Sequence, residues 1–333
     1  MLKTPRDVAL LVLLAIAIGF VVARIAPARS APQPTPTPVP TVAAEPSPTP
    51  TPEPTDDDRV WDQPLSAGCA TDTGQVFLVS TGGGIAQFDG KIWGLVDDTL
   101  RQMRAAVCVP GLAIAVGDGG KIVRIDPSLR TIRPDTVGNN DLFAVGAVDA
   151  REIVAGGADL TVVRLHEGAW STIGGGGVGL NWRAILARSA TEVWLAGDGG
   201  TLVVFDGTKF VDRSIPNGPD LTALAALGSD TVVGASDGRL FSAAPGRAAR
   251  PFAKVPGGVR GLVASADGVF VLADDLRHVT VSGAVAALPY ELGCPAVGMF
   301  GGARGEVWLI GRQGSRAGVA RYDGTSWIRA GRC

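Results

Sequence analysis

This chain lacks the positive charge that holds nucleic acid. Its 333 residues sum to a formal charge of −2. No large cationic field is available, so nucleic acid is excluded as a partner. Histidine is almost missing, with two residues, His166 and His278. They fall at different places of the repeat described below, too far apart in that frame for a triad or an ordinary zinc site. Charged residues make up 19% and aromatic residues 6%. Past residue 60 no long segment has the 3.6-residue period of an amphipathic helix. What is abundant is glycine, at 46 residues, which suits many short strands joined by tight turns.

The N-terminal part is of another kind. Residues 8–23, VALLVLLAIAIGFVVA, are 16 uninterrupted apolar residues behind Lys3 and Arg6. A bilayer core takes about 17–25 residues and a signal-peptide core about 7–15. Arg24 can snorkel and extend the span to Ala26, so 1–30 reads as an uncleaved signal anchor with one transmembrane helix. Cleavage after Val21-Val22-Ala23 is the alternative, and it exports the rest of the chain equally. Residues 31–58, APQPTPTPVPTVAAEPSPTPTPEPTDDD, hold 10 prolines, mostly at alternate positions. Proline fixes φ and removes the N–H, so this segment is an extended spacer, able to reach roughly 85 Å at about 3.1 Å per residue.

Residues 59–333 are built of copies. The stretch EVWLAGDGGTLVVFDGTKF (192–210) joins an apolar strand, a Gly/Asp turn, a second strand and another Gly/Asp turn. Relatives of it start at 75, 113, 152, 231, 269 and 306, and each follows a further apolar strand that opens at 65, 103, 142, 182, 221, 259 or 294. The start-to-start gaps, by subtraction, are 38, 39, 40, 39, 38 and 35. Seven copies of four strands, a to d, with a period near 40, predict an all-β fold: a seven-bladed β-propeller of four-stranded antiparallel blades. The third residue of strand a is small throughout, at Ala67, Ala105, Ala144, Ala184, Ala223, Gly261 and Ala296, as expected where seven inner strands crowd one axis.

The copies resemble the bacterial BNR/YCF48-like propeller repeats, on the strength of Gly197-Asp198-Gly199-Gly200, Asp206-Gly207 and the similar turns. The resemblance implies the propeller fold and says little about function. No copy matches a true Asp-box, SxDxGxTW, and the GH…WD signature of WD40 repeats is missing.

The motifs that mimic active sites lose to turn chemistry. GDGG at 117–120 and 197–200 links strands b and c, where tight hairpins need glycine. A phosphate loop would need a Lys-Ser/Thr end and a helix, and Lys121 runs into a strand. GGGGVG (174–179) falls in an interblade linker and GASDG (234–238) at a b–c hairpin, neither followed by a helix. Tyr290-Glu291, adjacent in a strand, would face opposite ways and cannot act as a sialidase-type pair. Cys69 and Cys108 lie on strands a of neighbouring blades, and Cys294 and Cys333 bracket the last blade. Of the three full pairings, Cys69–Cys108 with Cys294–Cys333 is favoured, and buried free thiols are the main alternative.

What remains is one face of the ring. The b–c turns and d–a linkers emerge there, bringing Asn140, Asp141, Asn181 and Asp220 together with Asp118 and Asp198. The second position of strand a adds Arg104, Arg183 and Arg260. Turn chemistry and salt bridges between neighbouring blades explain these residues structurally. A polar mouth that captures an anion through the guanidiniums explains them functionally. No cofactor and no metal is implied. The expectation is a propeller tethered to the outer face of a bacterial inner membrane, binding a protein or glycan partner of the cell envelope without catalysis. The alternative is a glycan-active hydrolase or lyase that uses channel carboxylates.

Overall fold

The computed structural model describes residues 57–333. The anchor, its alternative cleavage site and nearly all of the spacer lie outside the described residues. Among the described residues no helix is long and apolar enough to cross a membrane.

Seven four-stranded antiparallel sheets form, each from four strands consecutive in sequence. In blade 1 strand a is Leu65–Ala70, b is Val76–Ser80, c is Ile85–Phe88 and d is Trp93–Asp97. In blade 7 they are Ala296–Gly301, Val307–Gln313, Arg316–Tyr322 and Trp327–Arg329. Strand b is apolar almost throughout because it is covered on both faces. Successive side chains of a strand point to opposite faces, so each b strand serves two neighbours. In blade 2, Ala113 and Ala115 pack against blade 1 with Phe77 and Val79. Ile114 and Val116 pack against blade 3 with Ile153 and Val163. Seven apolar clusters result, one at each interface between blades.

The GDGG segments are turns. Each places one short 3-10 turn between strands b and c, with Gly119 and Gly120 at φ 66° and 68° and Gly199 and Gly200 at 62° and 76°. A side chain on Gly120 would lie 2.6 Å from the Val137 carbonyl oxygen. The c–d turns use aspartate differently. Asp89, Asp126, Asp206 and Asp323 each accept backbone N–H groups two and three residues ahead, which folds the Asp side chain back onto its own turn.

Blade 7 begins two residues later than the repeat spacing suggests. Strand a is bulged at its second residue in six blades, between Leu65 and Ala67 in blade 1 and between Ala296 and Gly298 in blade 7. Ala296 therefore stands where Leu65 stands, and Gly298 is the small third residue. The last gap becomes 37, from 259 to 296, in line with the others. Tyr290 and Glu291 also differ from expectation. They lie in the linker before blade 7, not in a strand, and the Tyr290 hydroxyl accepts from the Ala296 N–H at 3.4 Å.

Each blade owns all four of its strands, so the ring closes by packing between blades 7 and 1. Trp61, buried to 2% exposure, follows a 3-10 turn over Asp58–Val60. It meets Trp93 edge to face at 5.4 Å and presses on Gly331 of the C-terminal tail. Its carbonyl accepts from the Ala317 N–H at 2.8 Å. Two disulfides join Cys69 to Cys108 and Cys294 to Cys333. The first ties strand a of blade 1 to that of blade 2. The second ties the tail to the entrance of blade 7.

Candidate functional site

The seven a strands enclose a central channel, a cavity of about 480 Å³. Its wall is the ring of small residues: Ala67, Ala105, Ala144, Ala184, Ala223, Gly261 and Gly298. Arg104, Arg183 and Arg260 line the same cavity, and among the described residues no Asp or Glu does. The bulge explains how strand a sends both kinds of residue to one space. An extra residue in one strand re-aims its side chain, and the bulged position carries Ser66, Arg104, Phe143, Arg183, Thr222 and Val297. Arg260 occupies the matching place just ahead of strand a of blade 6.

The three arginines do not have equal surroundings. Arg104 donates through Nε to Asp118 at 2.5 Å and lies 5.2 Å over the Phe143 ring of the next blade. Arg183 donates through Nε to Asp198 and has a terminal nitrogen 3.9 Å from Asp220. Asp198 also accepts from the Asn181 backbone at 3.0 Å and side chain at 2.7 Å. Both arginines use Nε for the turn aspartate of their own blade. Arg260 has no carboxylate within reach among the described residues, and donates to the carbonyls of Ala273 and Ala296. The carbonyl of Ala296 opens the next blade. Ser66 and Thr222 reach the corresponding carbonyls, Met103 and Val259, at 3.1 and 2.5 Å. The bulged position thus links neighbouring blades as well as facing the channel.

Asn140, Asp141, Asn181 and Asp220 lie outside the channel lining. Asp141 accepts from Gly119 N–H at 2.8 Å and Asp220 from Gly199 N–H at 2.9 Å. Each latches the linker before one blade to the GDGG turn of the blade before it. Asn140 donates to Thr161 at 2.5 Å.

Two clusters away from the channel were not legible as units in the sequence. Glu152, 6% exposed, holds Arg164 Nε at 2.5 Å and His166 Nδ1 at 2.7 Å, one on each oxygen. This is a buried ion pair capped by a histidine. His278 Nε2 meets the Ser265 hydroxyl at 3.0 Å and Asp267 Oδ1 at 3.2 Å. A Ser–His–Asp relay needs the acid on the other ring nitrogen. With both partners on Nε2, the group cannot orient the imidazole as a relay does. Among the described residues no three His, Cys, Asp or Glu side chains are grouped so as to hold a metal ion.

No family model matches the chain, and no curated protein matches it in sequence. Solved structures match in fold. The WD40 β-propeller domain of Doa1 is 14% identical with a TM-score of 0.63, over 80% of this chain and 95% of that one. The RRP9 WD40 repeats are 12% identical with a TM-score of 0.63, over 74% and 87%. The extracellular domain of a putative hybrid two-component system from B. thetaiotaomicron is 14% identical with a TM-score of 0.62, over 79% of this chain and 39% of that one. Likeness at such identities shows the architecture alone: this chain folds as a seven-bladed β-propeller.

Proposed function

We propose that this propeller is a non-catalytic binding scaffold held on the outer face of a membrane, and that its ligand enters the channel mouth through a carboxylate or phosphate. The observation that carries the reading is the channel lining: three arginines, a wall of small residues and no acid. Arginine grips such anions through two parallel hydrogen bonds. The terminal nitrogens of Arg104 have no protein partner among the described residues, because its pairing uses Nε. The same lining offers no pair of carboxylates for the hydrolase or lyase alternative, which would need two at about 5–10 Å. The two disulfides support export, since such bonds persist in oxidising compartments. The apolar 8–23 segment and the Pro-rich spacer support a tether. The GDGG and Asp-Gly turns support the BNR-like reading. The WD40-like neighbours, one of them within a mitotic checkpoint complex, favour a protein partner, and a glycan of the cell envelope is the other class that fits.

The test is calorimetric titration of the purified full chain with acidic sugars and small dicarboxylates. Binding should vanish in the Arg104→Gln, Arg183→Gln, Arg260→Gln triple variant while its melting temperature stays nearly unchanged. A triple variant that binds as tightly as the parent ends the mouth reading, and one that melts much lower gives the arginines to the blades. For the tether, N-terminal sequencing of membrane-extracted protein should return the uncleaved start, and a start at Arg24 would mean a cleaved, soluble product.

A further inference from the structure

A cleft of about 740 Å³ opens between blades 6 and 7. The a–b turns of both blades and the c–d turn of blade 7 frame it, so it lies on the face opposite the b–c turns and the channel mouth. Three rings stand in it at angles to one another. Phe270 of strand b is 5.0 Å from the His278 ring of strand c and 5.9 Å from the Tyr322 ring of blade 7, with planes 50° and 73° apart. Ala286, Ala287 and Leu288 add an apolar wall. Among the described residues no Lys or Arg lines the cleft, and its one carboxylate is Asp267, 74% exposed in the a–b turn of blade 6.

Phe270 is the informative residue. In every blade one residue of strand b stands two places before the partner of the small strand a residue and packs toward the next blade. Phe77, Ile114, Val154, Trp194, Val232 and Trp308 hold that place in the other blades, and none is more than 3% exposed. Phe270 is only half-buried, because Ala264, Ala266, Gly305 and Gly324 around it are too small to cover it. Blade 6 therefore forgoes apolar burial that the six others gain. Asp267 is incompletely used as well. Its contacts with the Ser265 hydroxyl at 3.1 Å and His278 Nε2 at 3.2 Å both fall on Oδ1, and Oδ2 has no protein partner among the described residues.

The face of an aromatic ring is negative and attracts a cation, most strongly where water is displaced. A carboxylate beside such rings adds charge of the same sign, and an anion would be repelled by both. Apolar walls with a few convergent polar groups suit a small molecule. We propose that this cleft binds a small organic ammonium ion that carries an apolar ring or chain. The positive head rests against Phe270 and Tyr322 with Asp267 Oδ2 beside it, and the apolar body lies along Ala286, Ala287 and Leu288. The ligand's charge is opposite to that expected at the arginine-lined channel, so the two proposals fail separately.

The experiment is calorimetric titration of the purified full chain with benzyltrimethylammonium chloride. Saturable binding is expected. Benzyl alcohol has the same ring without the charge, and glycerophosphocholine has the same head on a polar body. Each should bind more weakly by about ten-fold or more. Asp267→Asn and Phe270→Leu should each weaken binding of the benzyl cation by about ten-fold, whereas the triple channel variant should bind it like the parent. Should Phe270→Leu misfold, the exposed Asp267→Asn change serves alone, with a loss of the same size. The proposal is overturned if the benzyl cation does not bind or if the folded variants bind it as the parent does. It is also overturned if benzyl alcohol binds equally well, which would leave an apolar pocket indifferent to charge. Equal binding of glycerophosphocholine would assign the cleft to a lipid headgroup and overturn it too.

Discussion

Replacing Cys69 and Cys108 together by alanine should cost about 4 kcal/mol of stability. The bridge joins residues 39 apart in sequence. In the chain-entropy model a loop of that length loses roughly 13 cal/mol/K on closure, which at 25 °C is about 4 kcal/mol taken from the unfolded state. Cys294–Cys333 has the same separation of 39, and the two loops do not overlap. Distant, independent effects add, so full reduction should remove about 8 kcal/mol. Domains of this kind have about 5–15 kcal/mol in all, so the reduced protein would stand near its unfolding threshold. Urea unfolding followed by tryptophan fluorescence measures this, on the parent with and without reductant and on the double alanine variant. The variant should unfold at lower urea, and reductant should shift it further by a similar step. A loss under about 1 kcal/mol for the variant, or no further shift on reduction, would refute the loop-closure account and give stability to blade packing alone.

Other outcomes follow from single positions. Gly119→Ala should cost about 1–2 kcal/mol, the strain of a left-handed residue, because only the end of Arg101 lies near its added carbon. Gly120→Ala should cost clearly more by the same thermal melts, since its carbon would meet the carbonyls of Val137 and Gly138 at 2.6 and 2.7 Å. Trp61→Ala should cost about 3–5 kcal/mol and loosen the seam, which hydrogen exchange would show as lost protection at the Ala317 amide. The Asp323 carboxyl is lowered from 3.8 to about 2, first by the Ser326 backbone N–H and then by the Thr325 hydroxyl. A lowered carboxyl stabilises the fold above its ordinary value and loses that effect as pH falls toward about 2. Asp323→Asn should therefore flatten the acid side of the unfolding midpoint between those limits.

The architecture was legible because each blade repeats the same sentence of strands and turns, so errors in one copy are corrected by six others. The one boundary that slipped did so where that check was weakest. Cys294-Pro295-Ala296 offers a small third residue, and only the short gap of 35 betrays that Ala296 fills the place of a large side chain. The arginines were legible because they share a register. Their partners were not. Of the linker acids, Asp141 holds the amide of Gly119, and Asp220 holds that of Gly199 while also lying 3.9 Å from a terminal nitrogen of Arg183; the nearer partners of Arg104 and Arg183 are the aspartates of their own b–c turns, Asp118 and Asp198. Which of two nearby acids wins depends on the bulge at the second residue of strand a, and nothing in the residue pattern marks a bulge. Glu152 and His278 were illegible for a related reason. Their partners lie 11 to 14 residues away, joined only by the register of paired strands.

Many rings of repeats are sewn shut by a strand borrowed from the other end of the chain. Here every blade is one unbroken run of sequence, and the chain's lead-in and tail lie side by side at the seam, Asp58 beside Arg332 and Trp61 against Gly331. The circle therefore has no privileged opening. A short peptide bridging the seam, with new ends cut in any linker between blades, such as 213–220 between the fourth and fifth, leaves all seven units whole. The same property lets a copy be duplicated or deleted in the gene without orphaning a strand, so the number of blades is free to change by whole steps.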